Sequence, residues 1–106
     1  MKKIQYFLIG LTFFTANVFA QLKAVQYKDA AQVLNGMAIQ PTKASAQKPG
    51  ILVLPAWKGI DVHAKATAEK LSQLGYHAFV ADIYGEGNYP QTTADAAKMS
   101  GFYKKN

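Results

Sequence analysis

Nucleophilic, acid–base and metal chemistry each need particular side chains at particular spacings, and this sequence offers few of them. It has no cysteine, which removes a thiolate nucleophile, a zinc finger or other thiolate metal site, and any disulfide. Its serines are Ser45, Ser72 and Ser100. A serine nucleophile on a strained strand-to-helix turn needs the pattern Gly-x-Ser-x-Gly, because small flanking residues let the turn form. Ser45 lies in a polar linker and Ser72 in a helical pattern. Ser100 stands in Lys98-Met99-Ser100-Gly101-Phe102, without the first glycine. None is expected to attack a substrate. His63 and His77 titrate in the useful range, but a base needs an oriented partner, and both read as surface or packing residues. Asp61 reads as a helix cap. Asp82 ends an apolar strand, where it is either a general base or a tether for the loop that follows. Gly85-Glu86-Gly87 lacks the Gly-x-Gly-x-x-Gly arrangement that cradles a dinucleotide pyrophosphate. No cluster has metal-ligand spacing, so neither a cofactor nor a metal is expected.

The charge balance narrows the partners. The 106 residues carry a formal net charge of +6, all of the positive charge from lysine. These lysines are scattered, whereas a nucleic-acid surface would cluster arginine and lysine with aromatic residues between them. No nucleic-acid partner is expected. Met1-Lys2-Lys3 and the apolar stretch Ile4–Phe14 precede Ala16-Asn17-Val18-Phe19-Ala20. Val18 and Ala20 fit the small-residue positions before a signal-peptidase cut. The apolar stretch is shorter than the roughly 20 residues of a spanning helix. Residues 1–20 are therefore expected to be a cleaved signal peptide, leaving an exported chain, periplasmic or secreted, with no stable membrane anchor.

The remaining residues, 21–106, must build whatever positions the chemistry. Residues 21–28 and Val33–Ile39 suit two strands of an antiparallel hairpin, joined through Lys28-Asp29-Ala30-Ala31. Residues 41–50 are polar, with two prolines and a glycine, and read as a surface connection. Ile51-Leu52-Val53-Leu54 is apolar without alternation, which predicts a strand buried on both faces. Asp61 caps a helix whose apolar face is expected at Val62, Ala66, Leu71 and Leu74, with Lys65, Glu69, Lys70 and Gln73 outward. Gly75 ends it. A strand over residues 77–82 follows, then a glycine-containing loop, then a helix over residues 94–104 capped by Thr92 or Thr93. Strand, helix, strand, helix predicts an α/β architecture in which a hairpin leads into a parallel sheet. The strand Ile51–Leu54 finds only one parallel neighbour here. More chain or a partner is therefore expected along its open edge, since an uncovered apolar edge invites aggregation.

Three segments in order carry a family resemblance. Residues 49–60, PGILVLPAWKGI, are followed by Ala68-Glu69-Lys70-Leu71 with Leu74-Gly75-Tyr76, and then by Ala81-Asp82-Ile83-Tyr84-Gly85-Glu86-Gly87. This set resembles the first half of the dienelactone hydrolases, where a buried strand ends in a turn with a bulky residue and a glycine. A helix, "LGY" and a strand ending in "DxYG" come next. The likeness runs from Ala24 to Asn106. It implies a partial α/β-hydrolase fold, the amino-terminal hairpin plus the start of the parallel sheet with flanking helices, and hydrolysis of small ester or lactone substrates. It implies a nucleophile, an aspartate and a histidine at positions beyond this sequence, so the chain alone is expected to be an inactive amino-terminal part of the domain. It also implies that Trp57 offers a backbone N–H to the oxyanion hole, the other donor following the nucleophile. The family's glutamate in this turn falls at Ala56 and its substrate-binding arginine near Glu86, which implies a substrate other than the true dienelactone. The competing expectation is a small exported, non-catalytic binding protein descended from a hydrolase.

Overall fold

The structure, a computed structural model, describes residues 21–43 and 48–105. The expected signal peptide, Ser45 and Asn106 lie outside them. Strands β1 (Lys23–Asp29) and β2 (Gln32–Ile39) form the antiparallel hairpin in register Asp29↔Gln32 through Lys23↔Ala38. Ala30 closes it with a φ of 53°. Strand β3 (Gly50–Val53), helix α1 (Val62–Gln73) and strand β4 (His77–Val80) follow, then helix α2 (Thr93–Lys105). The sheet order is β1-β2-β4-β3. Strand β4 runs parallel to β3 and antiparallel to β2. Among the described residues it is the last strand in chain order and the one that joins the hairpin to β3.

The ends of α1 follow from local chemistry. The Asp61 carboxylate accepts the Ala64 N–H at 2.9 Å, satisfying one of the free donors of the first turn. At the other end Gly75 N–H reaches Ser72 O and Tyr76 N–H reaches Leu71 O, both at 3.0 Å. This is the Schellman arrangement, in which the residue after the cap turns left-handed; Gly75 has a φ of 97°. Thr92 caps α2, its hydroxyl accepting the Asp95 N–H at 3.0 Å.

Two expectations about burial are corrected. The buried side of α1 is Ala64, Ala68 and Ser72, with Leu71 half-buried, while Val62 is 83% exposed and Leu74 57% exposed. Ala66 is exposed as well. The helix lies on the sheet through a row of small residues spaced by four, against Ile39, Ala78 and Val80. Size rather than hydropathy chose the face: small side chains let helix and sheet backbones approach, and the larger Val62 and Leu74 do not fit between them. Nor is β3 covered on both faces. Ile51 and Val53 are half-buried on the α1 side, whereas Leu52 is 60% exposed and Leu54 68% exposed. Among the described residues β3 is an edge strand with one face open.

Gly36 marks the tightest point of that other face. A Cβ there would sit 2.8 Å from both the Phe79 ring and the Val80 carbonyl oxygen. Tyr27 and Phe79, from the strands on either side of β2, meet edge to face over this glycine at 5.6 Å. The aromatic pair fills the space that a side chain on β2 would have taken.

Candidate active site

The carboxyl ends of β3 and β4 open side by side, the usual place for a ligand in a sheet of this kind. The chain leaving β3 runs Leu54-Pro55-Ala56-Trp57-Lys58-Gly59, and the chain leaving β4 runs Ala81-Asp82-Ile83-Tyr84-Gly85. Between them and α2 lies an open cleft of about 710 Å³. Pro55, Ala56, Trp57, Ile83, Tyr84 and Tyr103 line most of it, so its walls are mainly apolar. Helix α2 meets the loops here rather than the strands: Ala96 is fully buried, and the Tyr103 ring lies 5.7 Å from that of Tyr84.

The turn after β3 is held by its carbonyls. Gly59 N–H donates to Ala56 O at 2.9 Å and closes a β-turn over residues 56–59. The Tyr84 hydroxyl donates to Trp57 O at 2.5 Å. Among the described residues the Trp57 N–H, between these two carbonyls, has no protein acceptor. Burial, and next the neighbouring Tyr103, push the Tyr84 phenol above its ordinary value, so it stays protonated as a donor.

Asp82 sets the other wall. Its Oδ1 accepts the N–H groups of Tyr84 and Gly85 at 3.0 and 2.9 Å, and its Oδ2 accepts Asn35 N–H at 2.8 Å and the Tyr89 hydroxyl at 2.5 Å. The Tyr27 hydroxyl accepts the Asp82 N–H at 3.0 Å. Burial pushes the Asp82 carboxyl upward, but its four donors outweigh this and hold it below the usual carboxylate range. A carboxylate with every lone-pair direction occupied and a lowered proton affinity is a poor base. Of the two readings that the sequence left open, Asp82 is the tether: it ties the loop over residues 83–89 to the hairpin. Gly85 is required in that loop, since it has a φ of 97° and a Cβ would lie 2.5 Å from Gln32 Nε2.

The other sequence candidates scatter. Trp57 and Ala56 line the cleft, and so does Ser100, but its hydroxyl turns back to Ala97 O at 3.3 Å within α2. Ser72 is buried on α1, donating to Gln40 O at 2.6 Å. His63 is exposed in the first turn of α1, and His77 is exposed at the amino end of β4, the end away from the cleft. Glu86, near the place of the family's arginine, is not a wall of the cleft. Its carboxylate lies 3.4 Å from Asn35 Nδ2. Among the described residues no group of three or more His, Cys, Asp and Glu could hold a metal ion. Sequence reasoning missed Tyr27, Asn35, Tyr84 and Tyr89. Only Tyr84 carried a signal, as the tyrosine of the "DxYG" segment.

The sequence profile of the dienelactone hydrolase family matches residues 34–106. The chain belongs to this family. Two solved structures share its fold, a mixed sheet with flanking helices. One, named m3DLH, is 25% identical with a TM-score of 0.70, over 82% of this chain and 37% of its own. The other, a dienelactone hydrolase-like promiscuous phosphotriesterase from metagenomic libraries, is 28% identical with a TM-score of 0.66, over 79% of this chain and 35% of its own. No significant match was found among curated proteins. The chain thus spans little more than a third of the length of either structure, and its dienelactone hydrolase character is that of a hydrolase family at large.

Proposed function

We propose that this chain supplies one half of the oxyanion hole of an ester- or lactone-hydrolysing enzyme, with the Trp57 N–H as donor. The observation that carries the reading is the turn over residues 56–59 at the mouth of the cleft. There, among the described residues, the Trp57 N–H is left without an acceptor while the carbonyls of Ala56 and Trp57 are both tied. In acyl transfer, negative charge grows on the substrate's carbonyl oxygen as the tetrahedral intermediate forms. A fixed N–H at that point stabilises the transition state, and removing one such donor typically slows the reaction on the order of 100-fold or more. The nucleophile, its aspartate and its histidine come from residues other than these 106, which contain neither cysteine nor Gly-x-Ser-x-Gly. The apolar walls of the cleft favour an aryl or alkyl ester. Glu86 and Ala56, in place of the family's arginine and glutamate, argue against the true dienelactone as the substrate.

The reading includes export, with residues 1–20 removed. Both parts are tested on native protein captured from its source with an antibody against residues 21–43. A captured species substantially heavier than residues 21–106, labelled by a fluorophosphonate or iodoacetamide probe and hydrolysing p-nitrophenyl acetate, is expected. An amino terminus at Gln21 is expected as well. A species of the mass of residues 21–106 that takes neither probe would refute the enzyme and leave the binding protein. An intact Met1 would refute cleavage.

A further inference from the structure

The turn that holds Trp57 has little else to keep it in place. Its two central residues, Trp57 and Lys58, are exposed, and a single backbone hydrogen bond closes it. Packing of the tryptophan ring does not fix it either, since that ring is 41% exposed. Gly59 is buried at its end and Ile60 packs on the core, and the remaining hold on Trp57 itself is the bond from Tyr84. We propose that Tyr84 is a positioning residue: through the Trp57 carbonyl, its hydroxyl fixes the torsions that aim the neighbouring Trp57 N–H at the substrate's developing oxyanion. This rests on the oxyanion role given to Trp57 above and adds the residue that makes the donor preorganised.

The geometry supports the assignment at both ends of the bond. Two successive carbonyls, Ala56 O and Trp57 O, are tied to different partners, so the peptide units on both sides of the Trp57 Cα are held. The Trp57 N–H lies in the first of these units, in the plane of Ala56 O, and holding the second unit as well fixes the Trp57 torsions that orient the first. Electrostatic stabilisation of a transition state depends on donors that need no reorganisation when charge appears. Tyr84 is itself held on several sides. It is 4% exposed, its N–H is bound by Asp82 Oδ1, and its ring is flanked by Tyr103. The tether at Asp82 thereby reaches the turn through one side chain. The phenol ring alone would satisfy packing against Tyr103; the hydroxyl is the part that reaches Trp57.

The experiment is Tyr84→Phe in the full chain, with Tyr103→Phe as control, read by ¹⁵N relaxation and by the emission of Trp57, the chain's one tryptophan. In Tyr84→Phe the order parameters of the Trp57 and Lys58 amides are expected to fall from a rigid value of about 0.85 to below about 0.6. The Trp57 carbonyl ¹³C resonance is expected to move, and the amides of β4 and α1 to stay rigid. Tyr103→Phe is expected to leave the turn as it was. Unchanged order at Trp57 and Lys58, or loosening spread evenly over the sheet, would overturn the proposal. In the native hydrolase the same substitution is expected to lower kcat about 10-fold with KM unchanged, a loss of a transition-state interaction alone; an unchanged kcat would overturn it too. A loosened turn in a protein that hydrolyses nothing would leave the clamp on Trp57 standing and remove the oxyanion reading instead.

Discussion

Asp82→Asn changes one atom and leaves the shape of the site intact, and we expect it to destabilise the fold by about 3 kcal/mol. The carboxylate faces four donors, three of them backbone N–H groups that have no freedom to turn round. An asparagine keeps one acceptor oxygen. If that oxygen stays with Tyr84 and Gly85, the new amide NH₂ faces Asn35 N–H and the Tyr89 hydroxyl. The tyrosine can rotate its proton away and accept, but the Asn35 N–H cannot. One buried donor is then left unpaired, at about 1–3 kcal/mol, and the remaining bonds fall from charge-assisted to neutral strength. At a urea slope of roughly 1 kcal/mol per M for a small domain, the unfolding midpoint should drop by about 3 M. Tyr89→Phe, which removes a single donor and keeps the charge, should drop it by about a third as much. The wild-type carboxyl titrates below its unfolded value. Its stabilisation is therefore complete above the unfolded pKa of about 3.9 and is lost as pH falls through the lower folded value. Asparagine does not titrate, so the gap between the two proteins should narrow below about pH 4. A variant within about 0.5 kcal/mol of wild type at pH 7, or one that keeps the same acid limb, would show that the tether contributes little.

Three smaller perturbations probe other parts of the argument. Gly36→Ala should cost about 1–3 kcal/mol in chemical denaturation, since its Cβ meets the Phe79 ring and a β4 carbonyl at 2.8 Å. Phe79→Leu in the same chain should recover part of that, and no recovery would place the clash with the backbone. Ala30→Gly should raise stability by about 0.5–1 kcal/mol, because Ala30 sits at a φ of 53° where its Cβ is strained; a loss would mean the chain's entropy outweighs the strain. Asp61→Ala should cost about 1 kcal/mol and Asp61→Ser almost nothing, as the position needs only an acceptor for the Ala64 N–H. Equal losses in both would point to a role for the charge.

Much of the fold is legible because it is written in adjacent residues. The α1 boundaries depend on Asp61 and Gly75, and the hairpin on a turn between two short apolar runs, so local chemistry sufficed. The faces were not legible in this way. Of the expected Val62, Ala66, Leu71 and Leu74 only Leu71 packs on the core, and the sheet selects the row Ala64, Ala68, Ser72 by size, a property of the partner surface. The candidate site divides similarly. Trp57 was reachable from the order of motifs, and Asp82 from its place at a strand end. Tyr27 and Asn35 reach Asp82 across 55 and 47 positions of sequence, and nothing in their own neighbourhood announces it. The β3 strand reads as buried on both faces because its composition answers to the whole sheet of the family, while in this chain Leu52 and Leu54 face outward.

The strand order also fixes a sequence of events in time. β1 and β2 are neighbours in the chain and can zip within microseconds of leaving the ribosome. β3 emerges next but has no place in the sheet until β4, which must insert between it and the hairpin. At roughly 5–20 residues per second of synthesis, the residues from 54 to 80 take on the order of seconds to appear. For that interval Ile51–Leu54 is an extended apolar tetrapeptide with neither edge paired, a ready substrate for a chaperone that grips such segments. Arrival of β4 withdraws one edge from that grip; among the described residues the other edge has no partner strand.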